Sequence, residues 1–215
     1  FIERFKKAAD FPILIGNVYN DDTKERIGEP YVIKEIEGVK VGIIGLVTPH
    51  ITKWDGPNLK GHTVTNPVEE GKKIADELRP QVDIMIATFH ASVDGEYGNG
   101  DSARELAKEV PDLVAILAGH EHSVIEQVKE GTTVITEPGS NGSHISKIDI
   151  KVSKDAEGKV IGATAESQLI AINGVKEDAD VLALLKPYHE EAVEYARTKI
   201  GELVGGPLIR ENEIP

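Results

Sequence analysis

The chain has no cysteine, and methionine and tryptophan occur once each, at Met85 and Trp54, among its 215 residues. Without cysteine there is neither a disulfide framework nor a thiolate metal site, and the chain suits an oxidising or a reducing compartment equally. An excess of positive charge is also missing. Lys and Arg number 24 against 37 Asp and Glu, a formal net charge of −13. The basic residues are dispersed rather than striped, so a nucleic-acid polymer is not an expected partner. No apolar stretch approaches the roughly 18 residues of a membrane span. The amino terminus, Phe1-Ile2-Glu3-Arg4-Phe5-Lys6-Lys7, carries neither an initiator methionine nor a signal-peptide layout, and reads as cut from something longer. There is no internal repeat and no low-complexity tract.

What is present is enough for one sizeable domain, because 40% of the residues are hydrophobic. Aliphatic, β-branched runs at Phe11–Ile15, Val39–Val47, Val82–Phe89 and Leu113–Ala118 read as strands, and Tyr31–Ile36 forms a hairpin into the second of them. A helix opens at Pro67 with Asn66 as N-cap, and another, capped by Asp101 or Ser102, runs to Val110. The resulting local order is β-α-β-α-β, an α/β pattern. Thr132–Thr136, Ile145–Val152 and Val160–Ala171 alternate between Gly-rich turns, an expected antiparallel run on the same core. Asp178–Lys199 is a long amphipathic helix that Pro187 should kink, after which Gly205-Gly206-Pro207 breaks the chain.

Two strand ends carry the chemistry. The run Leu113–Ala118 leads into Gly119-His120-Glu121-His122, and the run from Val82 ends on His90. A glycine straight after a strand lets the backbone turn sharply, and open α/β sheets bind ligands at the carboxyl ends of their strands. Three imidazoles are therefore expected at one sheet edge as nitrogen ligands for a divalent metal. Two metal ions about 3.5 to 4 Å apart would clamp a phosphoryl group and activate water. Glu121 is expected to point away from the metal. His50 reads as a surface loop residue, and His62 and His189 as solvated. The acidic loop around Asp94 and Asp101 has the wrong ligand order for calcium.

The order His90, then Gly119-His120-Glu121-His122, then Glu137-Pro138-Gly139-Ser140-Asn141-Gly142 resembles the calcineurin-like metallophosphoesterases. The branch it resembles contains the 5′-nucleotidases and the 2′,3′-cyclic-nucleotide 2′-phosphodiesterases. Tyr31-Val32-Ile33-Lys34, Val41–Pro49 and Thr52-Lys53-Trp54-Asp55 extend the likeness over nearly the whole chain, and the Trp-Asp pair leans toward the cyclic phosphodiesterases. The resemblance implies a four-layer αββα sandwich and hydrolysis of nucleotide phosphate esters by metal-activated water. It also implies two divalent ions (Zn, Mn, Fe, Co or Mg), and a long helix leading to a nucleoside-binding carboxyl-terminal domain. His90 and His120 would serve one ion and His122 the other. Asn141 and His144, in the Pro-Gly loop, would border the substrate or stand behind the ligands. An extracellular, cell-surface or periplasmic location is implied as well.

The family's Asp-x-His and Gly-Asn-His-Glu motifs do not occur here, and no carboxylate matches its metal-bridging Gly-Asp. Gly16-Asn17 is followed by Val18 where the histidine would stand, so Asn17 is expected to be a strand-end residue. The expectation is a sandwich incomplete on its amino-terminal side: residues 1–175 the later part of the catalytic domain, 176–203 a linker helix, and 204–215 the start of the next domain. The chain as given is expected to be inactive, its partners being the rest of the same protein and a small nucleotide. The alternative is a degenerate domain that only binds metal or nucleotide.

Overall fold

A computed structural model describes residues 2–98 and 100–202, so the expected domain start at 204–215 lies outside the described residues. The first half contains α1 (Ile2–Ala8), β1 (Val18–Asn20), β2 (Tyr31–Ile36), β3 (Val39–Val47), α2 (Ile51–Asp55), β4 (His62–Val64), α3 (Pro67–Leu78) and β5 (Ile84–His90). It is followed by α4 (Ala103–Glu109), β6 (Leu113–Ala118), β7 (Val124–Glu130), β8 (Thr133–Pro138), β9 (His144–Lys154), β10 (Val160–Ala171) and α5 (Ala179–Arg197). Two compact units divide the chain, residues 1–173 and residues 174–215.

In the first unit, six strands form one sheet in the order β2-β3-β5-β6-β8-β7. The four inner strands run parallel, and β2 and β7 close the two edges antiparallel. This layout follows from composition. The central strands are apolar at nearly every position because both their faces are covered, whereas β9 alternates regularly as a strand with one covered face does. On one face lie α3 and α4, whose Ile74, Leu78, Leu106 and Ala107 pack on Ile44, Leu46, Phe89 and Ile116. On the other face lies the β9–β10 ribbon, whose Ile148, Ile150, Val152, Ala163 and Ala165 meet Val41, Ile43, Ile86, Ala115 and Val134. Three layers of the expected αββα arrangement are thus present among the described residues.

The helix starts are set locally. Asn66 Oδ1 accepts from the amides of Val68 and Glu69, and Pro67 takes the first helical position, where no N–H is needed. Ser102 Oγ accepts from the Glu105 amide and caps α4. Asp101, the other candidate cap, turns the opposite way, and its Oδ2 accepts from the amides of Glu96 and Tyr97.

Two expectations are corrected, and one strand is added. Phe11–Ile15 is not a strand; only Leu14 forms a bridge, to Glu29, because the backbone of Ile13 and Ile15 bonds to Glu29 and the backbone there meets β3 only at Gly16, whose amide donates to Gly45 O. Residues 132–136 do not start an antiparallel run with the ribbon: β8 enters the main sheet parallel to β6 and pairs antiparallel with β7. The strand β7 was not anticipated, since Glu126, Gln127, Lys129 and Glu130 interrupt its apolar positions, as charge commonly does on an edge. In the second unit, α5 is capped by Asp178, whose carboxylate accepts from the amides of Asp180 and Val181, and Pro187 lies inside the helix.

Candidate active site

Parallel pairing of β5 with β6 ends at Phe89 against Ala118, which sets His90, the last residue of β5 and still paired with Val47, beside the Gly119 turn at the sheet's carboxyl end. There His90 Nε2 and His120 Nδ1 stand 3.3 Å apart, their ring centroids separated by 5.1 Å. The other nitrogen of His120, Nε2, lies 3.3 Å from Glu96 Oε2, and Trp54 covers the ring at a centroid distance of 4.8 Å. With the carboxylate accepting from an Nε2–H, the ring proton stays on Nε2 and the Nδ1 lone pair faces His90. His90 keeps a solvent-facing side, yet burial of its ring, reinforced by the nearby His120 and His122, holds its pKa below the ordinary histidine value. The neutral form of the His90 ring, the form that can offer a lone pair to a metal ion, is thereby favoured.

The fit to a metal ion can be judged from that distance. Two imidazoles bound to one tetrahedral ion at about 2.0–2.1 Å would hold their nitrogens about 3.3–3.4 Å apart. The pair therefore matches two ligands of a single ion. Among the described residues no three His, Asp or Glu groups meet at one point. His122 lies near enough for its charge to act on His90 but is not part of the 3.3 Å contact. The chain's one Gly-Asp dipeptide, Gly100-Asp101, is committed elsewhere: its carboxylate holds the 96–97 loop and sits 3.5 Å from His50 Nε2.

The turn itself departs from its sequence reading. Gly119 was expected to supply the unusual backbone angle, but the positive φ falls on His120 (102°) and His122 (62°). A left-handed conformation in a residue with a Cβ is strained. Beneath this turn lies Glu137, fully buried, its Oε1 accepting from the Ser123 amide at 3.2 Å. Burial raises its pKa, even though backbone amides of Ser123, Glu121 and His122 act in the opposite direction. Nothing in the periodicity of residues 133–138 distinguishes Glu137 from a solvent-facing position.

The Pro-Gly loop abuts the same turn, with the Gly139 amide donating to Ser123 O at 2.9 Å. Asn141, at φ 54°, donates to Ser140 Oγ, and His144 Nδ1 meets Ser143 Oγ at 3.0 Å, so both spend these bonds inside their own loop. His50, expected on the surface, is largely covered. Its Nε2 lies 3.0 Å from Gly98 O, and its ring stacks edge-on against Tyr97. His62 is half-buried in β4, with Nδ1 3.2 Å from Lys60 O, and His189 is exposed.

The calcineurin-like phosphoesterase family matches residues 3–124. Members of that family generally use a dinuclear metal centre. The trifunctional nucleotide phosphoesterase protein YfkN of Bacillus subtilis is 29% identical over 230 aligned residues, covering 94% of this chain and 16% of that protein. The 2′,3′-cyclic-nucleotide 2′-phosphodiesterase/3′-nucleotidase of Haemophilus influenzae is 31% identical, with 91% and 35% covered. A 5′-nucleotidase of Vibrio cholerae is 28% identical, with 93% and 43% covered. The crystal structure of YfkN superposes with a TM-score of 0.77 at 27% identity over 89% of this chain and 66% of that one. The chain spans less than half the length of these curated relatives. With more than half of its residues inside the family match, on a sheet that superposes on a solved member, the chain belongs to the calcineurin-like phosphoesterases.

Proposed function

We propose that this chain is part of a metal-dependent phosphohydrolase of nucleotides. Its reaction is that of a 5′-nucleotidase or of a 2′,3′-cyclic-nucleotide 2′-phosphodiesterase/3′-nucleotidase, the activities that name its relatives. The observation that carries the reading is the contact of His90 with His120 at adjacent parallel strand ends. In this reading the two imidazoles hold one divalent ion (Zn, Mn, Fe, Co or Mg), and His122 reaches a second. The carboxylate ligands come from outside this stretch of chain. When bound, such ions draw charge from phosphoryl oxygens and make water more acidic. The chain's own residues orient the donors: Glu96 fixes the tautomer of His120, Trp54 restrains its ring, and partial burial keeps His90 neutral. Asn141 and His144 sit on the loop beside His122 and face the substrate or support the ligands. Residues 1–175 act as the later part of a catalytic domain, 176–203 as a linker helix, and the following residues as the start of a nucleotide-binding domain. An extracellular, cell-surface or periplasmic location follows from the same resemblance.

A second reading, a domain that binds metal or nucleotide without catalysis, draws on the absence among the described residues of any convergent group of three ligands. Isothermal titration with Zn²⁺ or Mn²⁺ at pH 7.5 tests the shared premise. Weak binding is expected, reduced by His90→Ala and by His120→Ala and untouched by His62→Ala. Because the His90 pKa is lowered, proton competition at that ring starts only below the ordinary value near 6.5, so its share of the affinity holds from pH 7.5 to about 6.5 and then declines. Equal losses from His62→Ala and His120→Ala would remove the site. In the longer protein, loss of nucleotide hydrolysis in His120→Ala separates the enzyme from the binding domain.

A further inference from the structure

Among the described residues, Glu137 is a fully buried acidic side chain beneath the His-x-His turn, and the proposed chemistry leaves it unused. Its Oε1 accepts from the Ser123 amide at 3.2 Å, and the backbone amides of Glu121 and His122 also act on its carboxyl group. Its Oε2 has no hydrogen-bond partner. Three successive N–H groups around left-handed residues form an anion-binding concavity, which a carboxylate fills well. The turn they belong to carries two non-glycine residues at positive φ, His120 and His122, a conformation that persists only where its surroundings enforce it. A buried oxygen left without a partner calls for an explanation beyond packing.

From this juxtaposition we infer that Glu137 is a positioning residue, whose carboxyl group occupies the concavity made by the amides of residues 121–123 and so sets where His120 and His122 point. The anchor is rigid because β8, which carries Glu137, is held in the sheet by β6 on one side and β7 on the other. The turn is tied to the same strand a second time, through the Gly139 amide on Ser123 O. Glu137 touches neither substrate nor metal in this account; it acts through the two histidines. The inference rests on their reading as metal ligands only for its effect on metal, since its effect on the turn is independent of metal.

Two readouts on the 215-residue chain test it. In metal-free protein, the ring signals of His120 and His122 in a two-dimensional NMR spectrum should shift in Glu137→Ala, together with the amides of residues 120–123, while those of His62 and His189 stay in place. By titration calorimetry, Glu137→Ala should lower Zn²⁺ affinity by about 10- to 100-fold, the range for removing a group that orients metal ligands. Glu137→Gln, which retains an acceptor oxygen for the amides, should restore affinity to within about threefold. Leu106→Ala, a core change in α4, should lower the melting temperature while leaving Zn²⁺ affinity as it was, which separates positioning from loss of stability. Should Glu137→Ala fail to fold, Glu137→Asp decides: its shorter side chain keeps the charge but withdraws from the amides, and it should show the same histidine shifts and reduced affinity. Unchanged ring and amide signals in Glu137→Ala or Glu137→Asp would overturn the inference. If the wild-type chain binds no Zn²⁺, the metal-site reading fails, and the metal-free spectra still decide the role of Glu137.

Discussion

Asn17 offers a quantitative test of how the first unit is held together. It is completely buried, where its sequence reading was a strand-end residue. Its Oδ1 accepts from the Val47 amide at 2.9 Å, and its Nδ2 donates to Val47 O at 2.8 Å and to Thr65 O at 3.1 Å. The amide thus ties the last residue of β3 to the chain just before α3. Asn17→Ala strands one N–H and two C=O groups. At about 1 kcal/mol net for each lost bond, and more for a group left dry, the loss should total about 3–4 kcal/mol. For a domain of this size that lowers the melting temperature by roughly 6–16 °C. Asn17→Asp is a sharper probe. It preserves the acceptor for Val47 N–H but sets an anionic oxygen against two carbonyls, so burial and repulsion raise its folded-state pKa above the unfolded value near 3.9. An acid raised in this way destabilises the fold increasingly as pH climbs through the unfolded pKa. Asn17→Asp should therefore fall further below the wild type at pH 7 than at pH 4.5. Urea melts followed by circular dichroism at the two pH values measure both effects. A loss below about 0.5 kcal/mol in Asn17→Ala, or an Asn17→Asp deficit that does not change with pH, would refute the reasoning.

Two further outcomes are expected. Burial pushes the Glu70 carboxyl up, but hydrogen bonds from Lys73, Tyr19 and Arg26 outweigh it and hold the pKa below the ordinary value. Its stabilisation is present above the unfolded pKa near 4.3 and disappears as pH falls through the lower folded value. Wild type and Glu70→Gln should accordingly differ by about 1–3 kcal/mol at pH 7 and converge in acid-unfolding curves as pH falls below the unfolded value near 4.3, and parallel curves would contradict this. At Gly45 an added Cβ would run into Leu14, meeting its carbonyl oxygen at 2.8 Å as well as its side chain. Gly45→Ala should therefore cost at least 1–3 kcal/mol by overpacking, read as a lowered urea midpoint, whereas Gly38→Ala meets open space and costs mainly its φ of 71°.

Much of the sheet is decided by local composition. The aliphatic runs of β3, β5 and β6, the Asn66-Pro67 helix start, the Ser102 cap, and the placement of His90 at one strand end and of Gly119-His120 just past another all follow from propensity, hydrogen-bonding chemistry and period. These signals depend on residues a few positions apart, so a single sequence carries them. The charged edge strand β7 escaped because its pattern lies close to that of a polar loop. Phe11–Ile15 misled because an apolar run is equally suited to packing against a strand without pairing with it, as Leu14 does over Gly45.

Which groups finally meet is a different kind of fact, set by pairings between residues far apart in the chain. The 3.3 Å contact of His90 with His120 exists because β5 and β6 pair in one register, with Phe89 opposite Ala118. A shift of one residue would turn alternate side chains to the other face. Glu96 comes to His120 from the loop after β5 and Trp54 from α2, which follows β3, and Glu137 comes beneath the turn because β8 lies beside β6 instead of in the ribbon. The strain on His120 and His122 is likewise tertiary, since only surrounding packing holds a side-chain-bearing residue at positive φ. The amino-acid sequence by itself determined which residues could act and on which strand ends they stand. The register and layering of the folded sheet decided which of them touch, because contact depends on the burial of two whole faces at once and no local pattern encodes it.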